Sequence, residues 1–83
     1  MKMSTNATYN TADLLISVWL NYSDIPLVGV EKIDDNKCEF CFKRTDNLEE
    51  LLMVFASNQE VPCNPARLLA SYKHCKSLLF NKR

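Results

Sequence analysis

The sequence of 83 residues contains one glycine, three prolines and one histidine, and its ten basic and ten acidic residues leave no net charge. With Gly29 as the only glycine, the chain has no glycine-rich loop of the kind that cradles phosphates in nucleotide-binding proteins. A neutral chain also generates no bulk field that would attract nucleic acid or a membrane surface. These absences disfavour a nucleotide-dependent enzyme and a strongly electrostatic binding protein.

Long apolar runs are missing as well. The N-terminus reads MKMSTNATYN, which is polar where a signal peptide needs an apolar segment. The longest apolar run is far shorter than the roughly 20 residues of a membrane-spanning helix. We therefore expect a cytoplasmic protein without membrane contacts, whose four cysteines stay reduced.

Hydrophobic residues nevertheless make up 47% of the chain, which is typical of a folded domain. A domain of this length buries a small core, so a deep, enclosed active site is not expected. Thr11 is suited to cap a first helix, which we predict from Ala12 to Tyr22. The helix is expected to end before the conformationally restricted Ile25–Pro26 step.

From Leu27 the apolar period changes to two, which predicts a β-hairpin. Its turn is expected at residues 34–37, where Asp and Asn side chains bond back to their own backbone. Cys38, Phe40 and Phe42 then alternate with Glu39, Cys41 and Lys43. Because a lone hairpin is only marginally stable in water, this apolar face is expected to pack on helices.

Two further helices follow the hairpin. Asp46 and Glu49 resemble the capping box of a second helix, which is expected to end near Ser57. Asn64 and Pro65 are suited to the cap and first position of a third helix that reaches about Phe80. The apolar stripes of these helices are Leu48, Leu51, Leu52 and Phe55 in the second, and Leu68, Tyr72, Cys75 and Leu79 in the third.

The predicted fold class is α+β: a helix, a two-stranded antiparallel β-hairpin and two helices, packed as one small domain. We expect this domain at residues 11–80. Residues 1–10 are predicted to form a flexible N-terminal segment, and residues 81–83 a basic tail.

The first helix is apolar on two sides. Leu14, Leu15, Val18 and Trp19 form one stripe, and Ile16 and Leu20 form a second on the other side. If the first stripe faces the core, the second is expected to be exposed, so Ile16 and Leu20 are candidate residues for binding a protein partner or a second copy. Trp19 is expected to lie in the core, but as a large aromatic residue in so small a protein it is also a candidate anchor for a partner. The alternative is that the third helix covers the second stripe and the first helix is central.

Basic residues are concentrated at the C-terminal end. Residues 61–83 contain no acid and five bases, namely Arg67, Lys73, Lys76, Lys82 and Arg83. They are candidates for contacts with nucleic acid phosphates. Lys76 lies on the opposite side of the predicted helix from Arg67, however, so the bases do not form one narrow face.

No catalytic constellation is found, and no cofactor is expected. Cys38 and Cys41 have the spacing of zinc ligands, and Cys63 with His74 or Cys75 would complete a set of four. Alternation along a strand places the first two on opposite faces, which favours structural cysteines over a metal site. His74 is surrounded on its helix by basic residues, which do not orient a catalytic histidine.

The pattern of the whole chain resembles a family of short uncharacterised domains found in bacteria, phages and other mobile elements. The matching segments are residues 11–14 (TADL), 38–42 (CEFCF) and 48–51 (LEEL), followed by Pro65, Tyr72–Lys73 and residues 76–78 (KSL). The resemblance implies a phage or mobile-element setting, which would be the host cytoplasm for a viral protein. It implies no catalytic or binding residues.

We therefore expect a small non-catalytic protein-interaction factor that binds a protein partner or forms a homodimer. One alternative is a nucleic-acid-binding accessory protein that uses the basic C-terminal helix. The other is a binding module stabilised by zinc. An enzyme is the least favoured class.

Overall fold

A computed structural model describes residues 8–35 and 37–82, the side chain of Lys82 excepted. The elements in chain order are β1 (Thr8–Thr11), α1 (Leu14–Tyr22), β2 (Leu27–Asp34), β3 (Lys37–Lys43), α2 (Leu48–Ala56) and α3 (Pro65–Lys82). The α+β fold class is thus confirmed. Among the described residues, no helix combines the length and the hydropathy that crossing a membrane requires.

The sheet has three strands in the order β1–β3–β2, and both pairings are antiparallel. The prediction of a two-stranded sheet is therefore wrong in this respect. The additional strand comes from the N-terminal segment predicted to be flexible: Tyr9 pairs with Phe42, and Thr11 with Phe40. The short polar sequence of β1 gives no strand signal because its stability comes from pairing with β3. Residues 1–7 lie outside the described residues.

The predicted hairpin is present as β2 and β3, with Val30 opposite Phe40 and Asp34 opposite Lys37. Its turn falls where the sequence predicts it, although Asn36 lies outside the described residues. Phe40 and Phe42 are fully buried, as is expected of an apolar face, and their ring centroids are 6.4 Å apart. Cys41, on the other face, is also buried because β3 is the central strand.

The helix starts differ from the predictions at two of three places. Asp13, not Thr11, caps α1: its carboxylate accepts from the backbone N–H groups of Leu15 and Ile16. Residue 47 is the N-cap of α2, where the sequence predicted a capping box from Asp46. The predicted cap of α3 is confirmed, because the Asn64 side chain accepts from the Arg67 N–H at 3.2 Å. This helix continues to Lys82, so the predicted tail is partly helical.

Helices α1 and α2 both end in a Schellman motif. In α1, the Ile25 N–H donates to the Leu20 carbonyl and the Asp24 N–H donates to the Asn21 carbonyl. This motif requires a left-handed residue after the helix, and Asp24 supplies it with φ of 66°. Asn58, with φ of 58°, has the same role after α2. Glycine is the usual residue at this position. Asp and Asn tolerate the left-handed conformation better than other non-glycine residues, so both helices can end in this motif without a glycine.

Candidate functional site

The second apolar stripe of α1 belongs to the core. Leu20 has no exposed surface, and Ile16 is partly buried against the same cluster. The expectation that this stripe is exposed is therefore wrong for Leu20, and Ile16 is only partly exposed. As the alternative interpretation expects, α3 packs along α1 and contributes Cys75 to the core that contains Leu20. However, α1 is not enclosed on all sides, because Leu15 is exposed.

The exposed apolar residue of α1 is Leu15, which belongs to the stripe predicted to face the core. It is 61% exposed and lines an open depression between the three helices. We call this depression the helical cleft. It has a volume of about 340 Å³ and is lined by Leu15, Val18, Trp19, Phe55, Leu68, Leu69 and Tyr72. Every lining side chain is aliphatic or aromatic, so the cleft is suited to receive apolar groups.

The helical cleft continues towards the segment between α2 and α3. The adjoining depression has a volume of about 510 Å³ and shares four lining residues with the cleft: Leu15, Trp19, Phe55 and Leu68. Its outer wall includes Val61 and Cys63, which are both exposed. The two depressions are continuous through these shared residues, and the second also has polar side chains, those of Asn58 and Gln59, in its lining.

Trp19 holds the two sides of the cleft together. Its indole N–H donates a hydrogen bond of 2.9 Å to the Leu51 carbonyl oxygen on α2. Its ring stacks on Tyr22 with a centroid separation of 6.0 Å. Because one face of this half-buried ring lines the cleft while its N–H is bonded to protein, Trp19 is both a structural residue and part of the surface. This is the one predicted partner-binding residue that the structure places at the cleft.

Tyr22 fixes the start of α3 against the end of α1. Its hydroxyl oxygen accepts a hydrogen bond of 2.7 Å from the Asn64 N–H. The Arg67 guanidinium lies 4.8 Å from the centroid of the Tyr22 ring and donates to the Tyr22 carbonyl at 3.2 Å. It also lies 3.9 Å from the carboxylate of Asp24. Arg67 therefore connects two helices, which is a structural role for a residue predicted to contact phosphate.

The other predicted phosphate ligands are separated from Arg67. Lys73 and Lys76 are exposed on the part of α3 that follows the cleft, and the Lys76 Nζ lies 5.6 Å from the centroid of the Tyr72 ring. The side chain of Lys82 and the whole of Arg83 lie outside the described residues. On its other side, α3 borders a shallow polar depression of about 380 Å³ that contains Arg67 and His74.

The cysteines are four unpaired thiols in different environments. Cys38 and Cys41 are buried on opposite faces of β3, Cys75 is buried in the core, and Cys63 is exposed. Burial raises the pKa of the Cys75 thiol to about 11. Burial, with smaller contributions from Glu31 and Glu39, also raises the pKa of Cys41. Within residues 8–35 and 37–82, no cluster of three or more His, Cys, Asp or Glu side chains is arranged to hold a metal ion.

The exposed apolar side chains of the cleft are functional candidates that the sequence did not reveal. Tyr72 and Phe55 belong to predicted core stripes, yet each is partly exposed, and Leu69 is 61% exposed. Leu69 lies outside the predicted core stripe of its helix, and this was the available signal that α3 carries a second apolar surface. The sequence could not show that Leu69 and Leu15 line the same cleft.

Comparison with known proteins identifies the family. No curated protein and no solved structure matches the chain. A family model described as a domain of unknown function, DUF5659, matches residues 6–81. This match spans nearly the whole chain and agrees with the resemblance to a family of short domains without an assigned function. The chain therefore belongs to the DUF5659 family.

Proposed function

We propose that this domain is a small non-catalytic protein-interaction factor that binds another protein through the helical cleft. The observation that carries the proposal is the exposure of Leu15 and Leu69, each 61%, beside an apolar depression of about 340 Å³. Isolated exposed leucines are ordinary on protein surfaces, but contiguous ones around a concave surface are typical of interaction sites.

The chemistry of the cleft supports binding over catalysis. General acid–base and nucleophilic catalysis need ionisable or nucleophilic groups placed next to the reacting atoms. The side chains that line the cleft are aliphatic or aromatic, and the single hydroxyl among them belongs to Tyr72. Cys75 is close to Tyr72 in the sequence, but its thiol is buried in the core. Burial raises the pKa of this thiol to about 11, so little thiolate forms at neutral pH.

The cellular setting is part of the proposal. We place the protein in the cytoplasm, encoded by a phage or mobile element and acting on a protein of the same cell. Two observations support this: the resemblance of the sequence pattern to such domains, and the four unpaired thiols, which suit a reducing compartment.

Affinity capture with chemical cross-linking from an extract of the source cells tests the proposal. The baits are the wild-type protein, Leu69→Glu and the control Ile33→Glu, which changes an exposed apolar residue on β2, away from the cleft. We expect one partner to be captured by the wild-type and Ile33→Glu baits and lost with Leu69→Glu. Equal capture by all three baits, confirmed with the purified partner, would contradict a role for the cleft.

A further inference from the structure

The elements around the helical cleft restrict the shape of what enters it. All three helices contribute to its lining, with Leu15, Val18 and Trp19 from α1, Phe55 from α2, and Leu68, Leu69 and Tyr72 from α3. A partner in extended conformation would bring unpaired N–H and C=O groups into this apolar surface, where burying them is costly. An α-helix satisfies its backbone groups internally and presents only side chains. The cleft is therefore suited to the apolar face of a helix.

The charge beside the cleft restricts the polar residues of that helix. Lys73 follows Leu69 by four residues, and Lys76 follows Tyr72 by four, so both lysines lie one turn beyond the cleft on the same side of α3. Both are exposed, and no acid occurs in residues 61–83. The acids of α2, Glu49 and Glu50, lie in its first turn, whereas its cleft residue Phe55 lies in its last.

The same side of α3 extends beyond the lysines. Phe80 follows Lys76 by four residues and is 71% exposed. Leu69, Tyr72, Lys76 and Phe80 therefore form a continuous stripe of apolar and basic side chains along α3. Arg67 is not part of this stripe, since it is held by Tyr22 at the junction with α1.

We propose that the helical cleft receives an amphipathic α-helix of another protein, with large apolar residues one turn apart and acidic residues over Lys73 and Lys76. This inference rests on the proposed function and specifies the partner at the same site. The apolar residues of the helix contact Leu15, Leu69 and Tyr72. Its carboxylates lie at the end of the cleft where the two lysines are, which orients the helix. Because salt screens exposed charges, the lysines add little to the affinity. They mainly determine the orientation of the helix and the choice of partner.

Selection from a displayed library of random 16-residue peptides tests this inference, and it does not require the natural partner. The targets are the wild-type protein, Leu69→Glu and the charge reversal Lys73→Glu/Lys76→Glu. All three are expected to fold, because the substituted side chains are exposed, and circular dichroism of each target checks this. We expect the wild type to enrich peptides with apolar residues at helical spacing and net negative charge.

The variants then assign the contacts. Binding of a selected peptide should be lost with Leu69→Glu and weakened about fivefold or more by the charge reversal, consistent with two exposed ion pairs changed from attraction to repulsion. When the Lys73→Glu/Lys76→Glu variant is the target of the selection, the enriched helical peptides should be basic instead.

Three results would overturn the inference. Peptides whose binding depends on Leu69 but which are neutral, basic or extended would contradict the inference that the partner is an acidic helix. They would leave the proposed function intact. A dimer seen by light scattering and broken by Leu69→Glu would assign the cleft to a second copy. Enrichment without any peptide that depends on Leu69 would contradict both the inference and the proposed function.

Discussion

The indole N–H of Trp19 donates a hydrogen bond of 2.9 Å to the carbonyl oxygen of Leu51, 32 residues further along the chain. This bond joins α1 to α2 beside the helical cleft, which Trp19 lines. Since the same ring stacks on Tyr22, whose hydroxyl binds the start of α3, one aromatic pair connects all three helices. Trp19 and Tyr22 therefore connect the helices whose side chains line the cleft.

Trp19→Phe removes the hydrogen bond and keeps an aromatic ring at the position. We expect a loss of about 1–2 kcal/mol in the free energy of unfolding, from the bond and from the smaller ring. Hydrogen exchange in α2 should become faster than in the wild type, while exchange in β3 changes little. Unchanged protection of α2 would show that the bond does not hold this helix in place.

Phe40→Ala tests the buried face of the sheet. Phe40 has no exposed surface, so we expect a loss of roughly 3–5 kcal/mol, which is a large part of the stability of a small domain. Val28→Ala is the matched control on β2, because Val28 is largely exposed and should change stability by less than about 0.5 kcal/mol. Urea denaturation of both variants measures the difference. A near-wild-type midpoint for Phe40→Ala would place this ring outside the core.

Arg67→Met tests whether Arg67 is a structural residue. The variant keeps much of the aliphatic stem but loses the hydrogen bond to Tyr22 and the contact with its ring, and we expect a cost of about 1 kcal/mol. The ion pair with Asp24 adds little because both side chains are largely exposed. Lys73→Met is the control and should leave the urea midpoint unchanged. Equal midpoints for the two variants would contradict the structural role.

The thiols should differ strongly in reactivity. Cys63 is exposed, whereas Cys38, Cys41 and Cys75 are buried. With a chromogenic disulfide at pH 8, we expect one thiol to react rapidly and the others at the rate of unfolding. The raised pKa of Cys75, about 11, leaves it largely protonated until the pH approaches that value, which slows its reaction further. Cys63→Ser should abolish the rapid phase, and its persistence would mean that another thiol is accessible.

Much of the fold follows from local patterns in the sequence. The alternation of Cys38, Phe40 and Phe42 indicates a strand and its apolar face, although Cys41 on the other face is buried as well. Asn64–Pro65 indicates the start of α3. These features depend on residues close together in the chain. The third strand could not be predicted in this way, because Thr8–Thr11 is polar and becomes a strand through pairing with β3.

The candidate site follows less directly from the sequence, for a related reason. A helix with two apolar stripes does not indicate which stripe is buried, and the choice depends on where α3 lies. With α3 packed on α1, Leu20 enters the core and Leu15 is left exposed. The cleft also combines residues of three helices that are far apart in the chain, so no local spacing indicates it. Trp19, a large aromatic residue of the kind that often anchors a partner, is the one predicted partner-binding residue that lines the cleft.

The most direct test of the helical cleft as a binding surface is an NMR titration of the ¹⁵N-labelled protein with the purified partner obtained by capture. We expect the backbone amides of Leu15, Phe55, Leu69 and Tyr72 to shift on binding, while those of β1 and β3 stay unchanged. Shifts confined to the sheet or to the polar side of α3 around His74, with Leu15 and Leu69 unaffected, would contradict binding at the cleft.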